Sequence, residues 1–218
     1  GPAGLVVAHR LLDAGVSCVL AERLSSELLC ARAKAGMLEH RCVRALETVG
    51  LAEPILKNGG TNGVVEFCVN GARHVFDYAA LTGGHGHFVY PQHLLVRAWM
   101  DLFIAKGGQV LFSTEVTDIE ARGSEGVSVH ARAPDAPLLG IDCQLVVLAG
   151  GAGAGLMPTG IVSHQHEHPF RWLTAMVAMP PLGERTIYAP HRRGFAAHLR
   201  RSPEVLIAYL LAHTARIR

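Results

Sequence analysis

The sequence predicts an α/β domain followed by a mainly antiparallel β domain, and three observations predict it. An amphipathic helical stretch opens the chain and gives way to a short apolar run of strand length. An Asn-Gly pair between two apolar runs marks a hairpin. Beyond residue 170 the apolar residues fall into short segments separated by turn residues, the pattern of an antiparallel sheet. In chain order, residues 5–12 carry apolar side chains on a helical period that stops at Ala14-Gly15. Residues 17–21 (S-C-V-L-A) read as a buried strand, and a loop with Arg23, Ser25 and Ser26 follows. Residues 35–49 form a second helix closed by Gly50. Residues 64–69 and 72–76 flank Asn70-Gly71 as a hairpin. Residues 91–106 form a third helix, with Pro91 suited to its first turn and Gly107-Gly108 ending it. Short strands are expected at 109–112, 116–122 and 126–132, then a long apolar strand at 141–149 running into a glycine-rich loop. Segments 172–179, 185–189, 194–199 and 205–211 complete the sheet. The expected division is 1–163 and 164–218, with the hairpin near 63–77 shared with the later sheet.

Composition narrows the function classes. Charged residues make up 17% and hydrophobic ones 50%, so the chain reads as globular rather than disordered. A net charge of +2 is too small to argue for nucleic acid. No apolar stretch has the length of a membrane helix, and the opening has no basic n-region or small-residue cleavage site. The five cysteines are scattered, never as C-x-x-C, and read as reduced core thiols, which favours the cytoplasm.

The opening carries the sharpest signal. Gly1-Pro2-Ala3-Gly4 fits the last four positions of G-x-G-x-x-G, with a helix directly behind it. In that motif the glycines let backbone amides approach a pyrophosphate, and the helix N-terminus faces its charge. An acid about 20 residues on holds the ribose hydroxyls. Glu22 stands 21 positions after Gly1, directly after the first expected strand. The reading is therefore a Rossmann-like dinucleotide-binding domain whose first strand and first glycine lie upstream of residue 1. The chain is expected to be a fragment, truncated at both ends.

From Glu22 onward the chain resembles the class A flavoprotein monooxygenases, specifically the 4-hydroxybenzoate 3-monooxygenase group. The segments that carry the likeness are AERLSSELLCARAKAGMLEH, YPQHLLVRAWM, PFRWL and YAPHRRGFAAHLRRS, in the family's order. The resemblance implies an FAD-binding domain with a β substrate domain, reduction by NAD(P)H, and hydroxylation of a phenolic acid with O2. It implies a small aromatic acid as partner and admits a homodimer; the residues themselves lead to no expectation of nucleic acid, membrane or metal. By position, Gly1, Ala3 and Gly4 would meet the FAD pyrophosphate and Glu22 the adenosine ribose. Arg32, Lys34, Ala35, Gly36 and Met37 match the loop along the FAD, with Lys34 where the family usually has arginine. Gln92 matches a flavin-contacting glutamine. Arg201 matches the arginine that pairs with the substrate carboxylate, Tyr188 the catalytic phenol that bonds the substrate hydroxyl, and Tyr209 a second pocket aromatic.

The chain also departs from the family. Gly150 stands where an Asp serves flavin and nicotinamide, and Gly153 and Met157 replace a histidine and an arginine. Leu199 replaces a substrate-contacting serine, and Ile207 an arginine linked to flavin movement. His164, His166 and His168 alternate as strand-face metal ligands would, yet no further ligand type stands on that face. They are expected as a solvated edge, as are His85 and His87. HRRGF and LRRSP are expected as pocket or surface charges.

Overall fold

The structure, a computed structural model, describes residues 1–31, 34, 36–151, 155–156, 161–162, 164–183, 185–202 and 204–213. In chain order the elements are α1 (Pro2–Asp13), β1 (Val19–Ala21), α2 (Ser26–Ala31), β2 (Met37–Leu38), α3 (His40–Thr48), α4 (Glu53–Asn58) and β3 (Gly60–Asn62). There follow β4 (Val64–Val69), β5 (Ala72–Asp77), α5 (Tyr78–Leu81), β6 (His87–Val89), α6 (Gln92–Ala105), β7 (Gln109–Leu111), β8 (Glu115–Ala121), β9 (Val127–Arg132) and β10 (Leu139–Cys143). The last four are β11 (Phe170–Ala178), β12 (Thr186–His191), β13 (Gly194–Ser202) and β14 (Val205–His213). Contacts divide the chain into two compact units, Gly1–Ala35 with Gln92–Ser163, and Gly36–Pro91 with His164–Arg218.

In the first unit β1 pairs in parallel with β7, and β8, β9 and β10 form an antiparallel sheet. α1 packs on α6. Leu95, Val96, Trp99, Met100 and Phe103 recur on one helical stripe and are all buried. Each such side chain is worth about 1.5–3 kcal/mol of burial. His9 is fully buried beside them. Its Nε2–H donates to the Trp99 carbonyl at 2.8 Å, and its ring meets Phe103 edge-on at 5.5 Å. Gly4 faces Ala149, and a Cβ on it would stand 3.1 Å from that of Ala149. The helix start can approach the 144–149 segment this closely because position 4 has no side chain.

In the second unit β2, β6 and β3 form a small sheet. The larger sheet has the order β11-β14-β13-β12-β4-β5. The hairpins β4–β5 and β12–β13 meet through the parallel pairing of β4 with β12. At the first turn Asn70 and Gly71 both have positive φ, 51° and 83°, as the two-residue turn requires.

Several expectations change. The helix expected over 35–49 is β2 followed by α3, because Met37 and Leu38 are taken up by pairing with Val89 and Phe88. The loop after residue 21 contains α2, started by Ser25, whose Oγ accepts from Leu28 N–H at 3.3 Å. The long strand expected at 141–149 ends at Cys143. Its partner β9 begins at Val127, directly opposite Cys143, so no rungs remain beyond that point. The cysteines are free, but Cys42 is exposed and the others are half-buried, so none is a core thiol. His164, His166 and His168 lie in exposed irregular chain. No helix among the described residues is long and apolar enough to cross a membrane.

Candidate functional site

Two arrangements, one in each unit, collect most of the expected site residues. The first is a cleft in the first unit, lined by Gly1 and Pro2 at the start of α1, Glu22 at the end of β1, Lys34, Gln92 and His93 at the start of α6, and Gly150. β1 delivers Glu22 to this place. The Glu22 N–H donates to the Leu111 carbonyl at 2.9 Å, and the Thr114 N–H donates to the Glu22 carbonyl at 2.9 Å, so the backbone is fixed on both sides. The carboxylate accepts from Leu24 N–H at 3.0 Å, and its other oxygen lies 3.9 Å from the Gly1 nitrogen. The acid therefore faces the leading end of α1, where the amides of the first turn have no partner within the helix. Lys34 and Arg23 add positive charge to the same cleft. A helix N-terminus, two cations and one carboxylate suit a ligand with phosphates at one end and hydroxyls at the other.

Gly36 and Met37 belong to the second unit. The Gly36 carbonyl accepts from Tyr90 N–H at 2.7 Å, and a Cβ at position 36 would stand 2.3 Å from the Tyr90 oxygen. Met37 begins β2 and is exposed. Arg32, Ala35, Gly153 and Met157 lie outside the described residues.

The second arrangement is one face of the six-stranded sheet. Register places Thr174, Tyr209, Ala197, Tyr188, Phe67 and His74 side by side in a row. Side chains in a row share a face, so Tyr188 and Tyr209 look out on the same side. Phe195 stands 5.7 Å from Tyr188, and Trp172 5.7 Å from Phe195 and 6.3 Å from Tyr209. Phe67 stands on the other side of Tyr188 at 5.6 Å. Leu199 and Ile207 are paired in the adjoining row. Arg201 sits at the register shift between Arg200 and Ser202. It is half-buried; burial lowers its pKa from the ordinary value, and the nearby Tyr209 offsets part of that. Burial raises the Tyr188 phenol above its ordinary value. Phe67, Phe195 and Trp172 were missed by sequence reasoning, although Phe195, Ala197 and Leu199 alternate along one strand and could have marked the face.

The opposite face holds a row made of Val75, Glu66, Ile187, His198, Ala208 and Ala175. His198 Nε2 accepts from Leu182 N–H at 3.1 Å, so the neutral ring carries its proton on Nδ1, which is buried with no hydrogen-bond partner among the described residues. Burial lowers its pKa from 6.5. Above that value neither state holds the extra proton. As pH falls through it the unfolded chain is protonated first, so stability declines and levels once the folded ring follows. Urea unfolding of the full-length protein between pH 7.5 and 5 is expected to show this decline, and His198→Gln to flatten it; equal slopes would refute the assignment.

A family model described as FAD binding domain matches residues 1–215. The chain is 28% identical over 201 residues to the p-hydroxybenzoate hydroxylase of Acinetobacter baylyi, covering 90% of this chain and 49% of that protein. It is 26% identical over 196 residues to a 3-(3-hydroxy-phenyl)propionate/3-hydroxycinnamic acid hydroxylase of Klebsiella pneumoniae, covering 86% of this chain and 34% of that protein. Its fold is similar to that of PqsL from P. aeruginosa, solved in complex with 2-aminobenzoylacetate, with TM-score 0.82 and 19% identity over 97% of this chain and 58% of that one. The chain thus spans half or less of the length of these curated relatives.

Proposed function

The chain belongs to the FAD binding domain family, and on that premise we propose that the full-length protein is an FAD-dependent, NAD(P)H-consuming aromatic hydroxylase that inserts one oxygen atom of O2 into a 4-hydroxybenzoate-like phenolic acid. The observation that carries the reading is the cleft shared by the start of α1, Glu22, Lys34 and Gln92. The residues present fit FAD. Gly4, free of a side chain, lets the helix start close on Ala149, as a pyrophosphate-binding turn needs. The amides of Ala3 and Gly4 would meet the pyrophosphate with Lys34, Glu22 the ribose hydroxyls, and Gln92 the flavin end. Arg32, Ala35, Gly36 and Met37 are assigned to the same cofactor by the resemblance alone.

FAD, when bound, takes a hydride from NAD(P)H and supplies the oxygen chemistry. Overall, phenol, O2, NAD(P)H and a proton give catechol, water and NAD(P)+. The chain's own residues bind and orient the acid. Arg201 would hold the carboxylate through its planar fork, so that one end of the ring is fixed. Tyr188 would accept a hydrogen bond from the phenol and help to remove its proton, raising electron density at the carbon to be hydroxylated. Tyr209, Phe195 and Trp172 supply an apolar wall for the ring. The thiols, none of them in a disulfide, support a cytoplasmic setting.

A second reading is a nucleotide-binding protein without turnover. Gly150 favours it, since it lines the cleft where the resemblance expects an aspartate. The test is to purify the full-length protein, record its absorption spectrum, and follow NAD(P)H oxidation with and without 4-hydroxybenzoate. Flavin bands with substrate-stimulated oxidation are the expected result. A colourless protein without substrate-stimulated oxidation would defeat the first reading and leave the second, and a yellow one indifferent to aromatic acids would exclude the second and point to another FAD-dependent oxidoreductase of the same fold.

A further inference from the structure

We propose that Glu66 is a positioning residue for substrate binding: its buried carboxylate, held between Arg73 and Arg185, fixes the register of β12 against β4 and so sets Tyr188 beside Phe67. The inference rests on the reading that Tyr188 and Arg201 hold a phenolic acid.

Glu66 is 6% exposed, the only buried acidic side chain among the described residues. A carboxylate stripped of water is costly unless it is paired and hydrogen-bonded. Here the partners come from two other segments. Arg73 on β5 reaches one carboxylate oxygen through Nε at 2.8 Å, and Arg185, directly before β12, lies 3.8 Å from the other through Nη1. The Cys68 thiol also points at the carboxylate, at 3.8 Å. Both arginines remain half or more exposed, so their heads stay hydrated while the acid is enclosed.

The β4–β12 pairing that this cluster ties is short. It has three parallel rungs, Thr186 with Val65, Ile187 with Glu66 and Tyr188 with Phe67. Parallel rungs are slightly weaker than antiparallel ones, and no turn fixes the register between such distant segments. A slip of one residue would part Tyr188 from Phe67, while the five-rung hairpin with β13 keeps it on the face of Tyr209. The structure resists a slip with two polar anchors at the start of β12. Asn62 Nδ2 donates to Thr186 Oγ1 at 2.6 Å, and Glu66 holds Arg185. A buried carboxylate costs more to leave unpaired than an apolar contact costs to misplace, so it discriminates between registers even where its pairing adds little net stability.

The experiment uses the full-length flavoprotein with Arg185→Ala, Glu66→Gln and the double variant. Because Arg185 is about half exposed, its removal leaves a foldable protein. The KM for 4-hydroxybenzoate is expected to rise about tenfold and kcat to fall by a similar factor with FAD affinity unchanged, the pattern of a displaced group that both binds the phenol and helps to remove its proton. The double variant is expected to be no worse than Glu66→Gln alone, since both act on one clamp. Arg185→Lys should recover most of the loss. An unchanged KM in Arg185→Ala, additive effects, or a fall in Tm with KM intact would overturn the proposal. If the wild-type protein turns over no phenolic acid, the functional reading fails separately. The clamp is then read from the 19F resonance of fluorotyrosine at position 188, which is expected to move in Arg185→Ala; an unmoved resonance overturns the clamp.

Discussion

Replacing Arg201 by alanine in the full-length flavoprotein is expected to raise the KM for a phenolic acid by about 100- to 1,000-fold while FAD binding stays unchanged. The guanidinium is half-buried, at a bulge in β13, and beside Tyr209. A carboxylate bound there would exchange water for two parallel charge-assisted hydrogen bonds, and their loss leaves it partly desolvated and unpaired. Arg201→Lys should restore only part, because an ammonium lacks the planar fork. The decisive control is a neutral phenol of the same ring, whose KM the substitution should not change. If acid and phenol shift together, Arg201 does not read the carboxylate.

The second large effect is expected from Gly36→Ala. A Cβ at this position would stand 2.3 Å from the Tyr90 carbonyl oxygen and 2.8 Å from its carbon, both backbone atoms that cannot swing away. The two backbones are already joined by the 2.7 Å bond from Tyr90 N–H to the Gly36 carbonyl. The added methyl must push β2 from β6, at a cost of about 3 kcal/mol by comparison with overpacked cores. The urea midpoint of the full-length protein should fall accordingly, and FAD should be lost at concentrations that saturate the wild type. Gly60→Ala, in the same small sheet with nothing within 4 Å of the added Cβ, is the control and should leave both nearly unaltered. A wild-type midpoint for Gly36→Ala would show that the backbones do not approach this closely.

What the sequence disclosed follows the range of the forces involved. α1, α6 and the Asn70-Gly71 turn are local objects, written in helical periodicity and turn chemistry, and all three stand where those signals put them. Met37 and Leu38 continue a helical pattern but are drawn into a strand by β6, fifty positions away, which no local rule registers. Leu145, Val147 and Leu148 look like strand interior, yet they are exposed because the ladder beside them has ended. For the site, spacing alone brought Gly1 and Glu22 together on paper, and the cleft holds both. Glu66 stayed hidden for the opposite reason. An acid in an alternating strand reads as facing solvent, and only the return of β12 encloses it.

The parallel seam between β4 and β12 has a consequence for synthesis. The β4–β5 hairpin leaves the ribosome as a finished local unit, but its free flank, carrying Val65, Phe67 and the acid at 66, has no neighbour until residues 186–188 are translated. During that interval the nascent chain carries an unsealed edge of backbone donors and acceptors, open to adhesion with other chains. The charge at 66 then acts as a guard, since an ionised side chain on an open edge discourages unwanted strand addition before it is buried by the intended one.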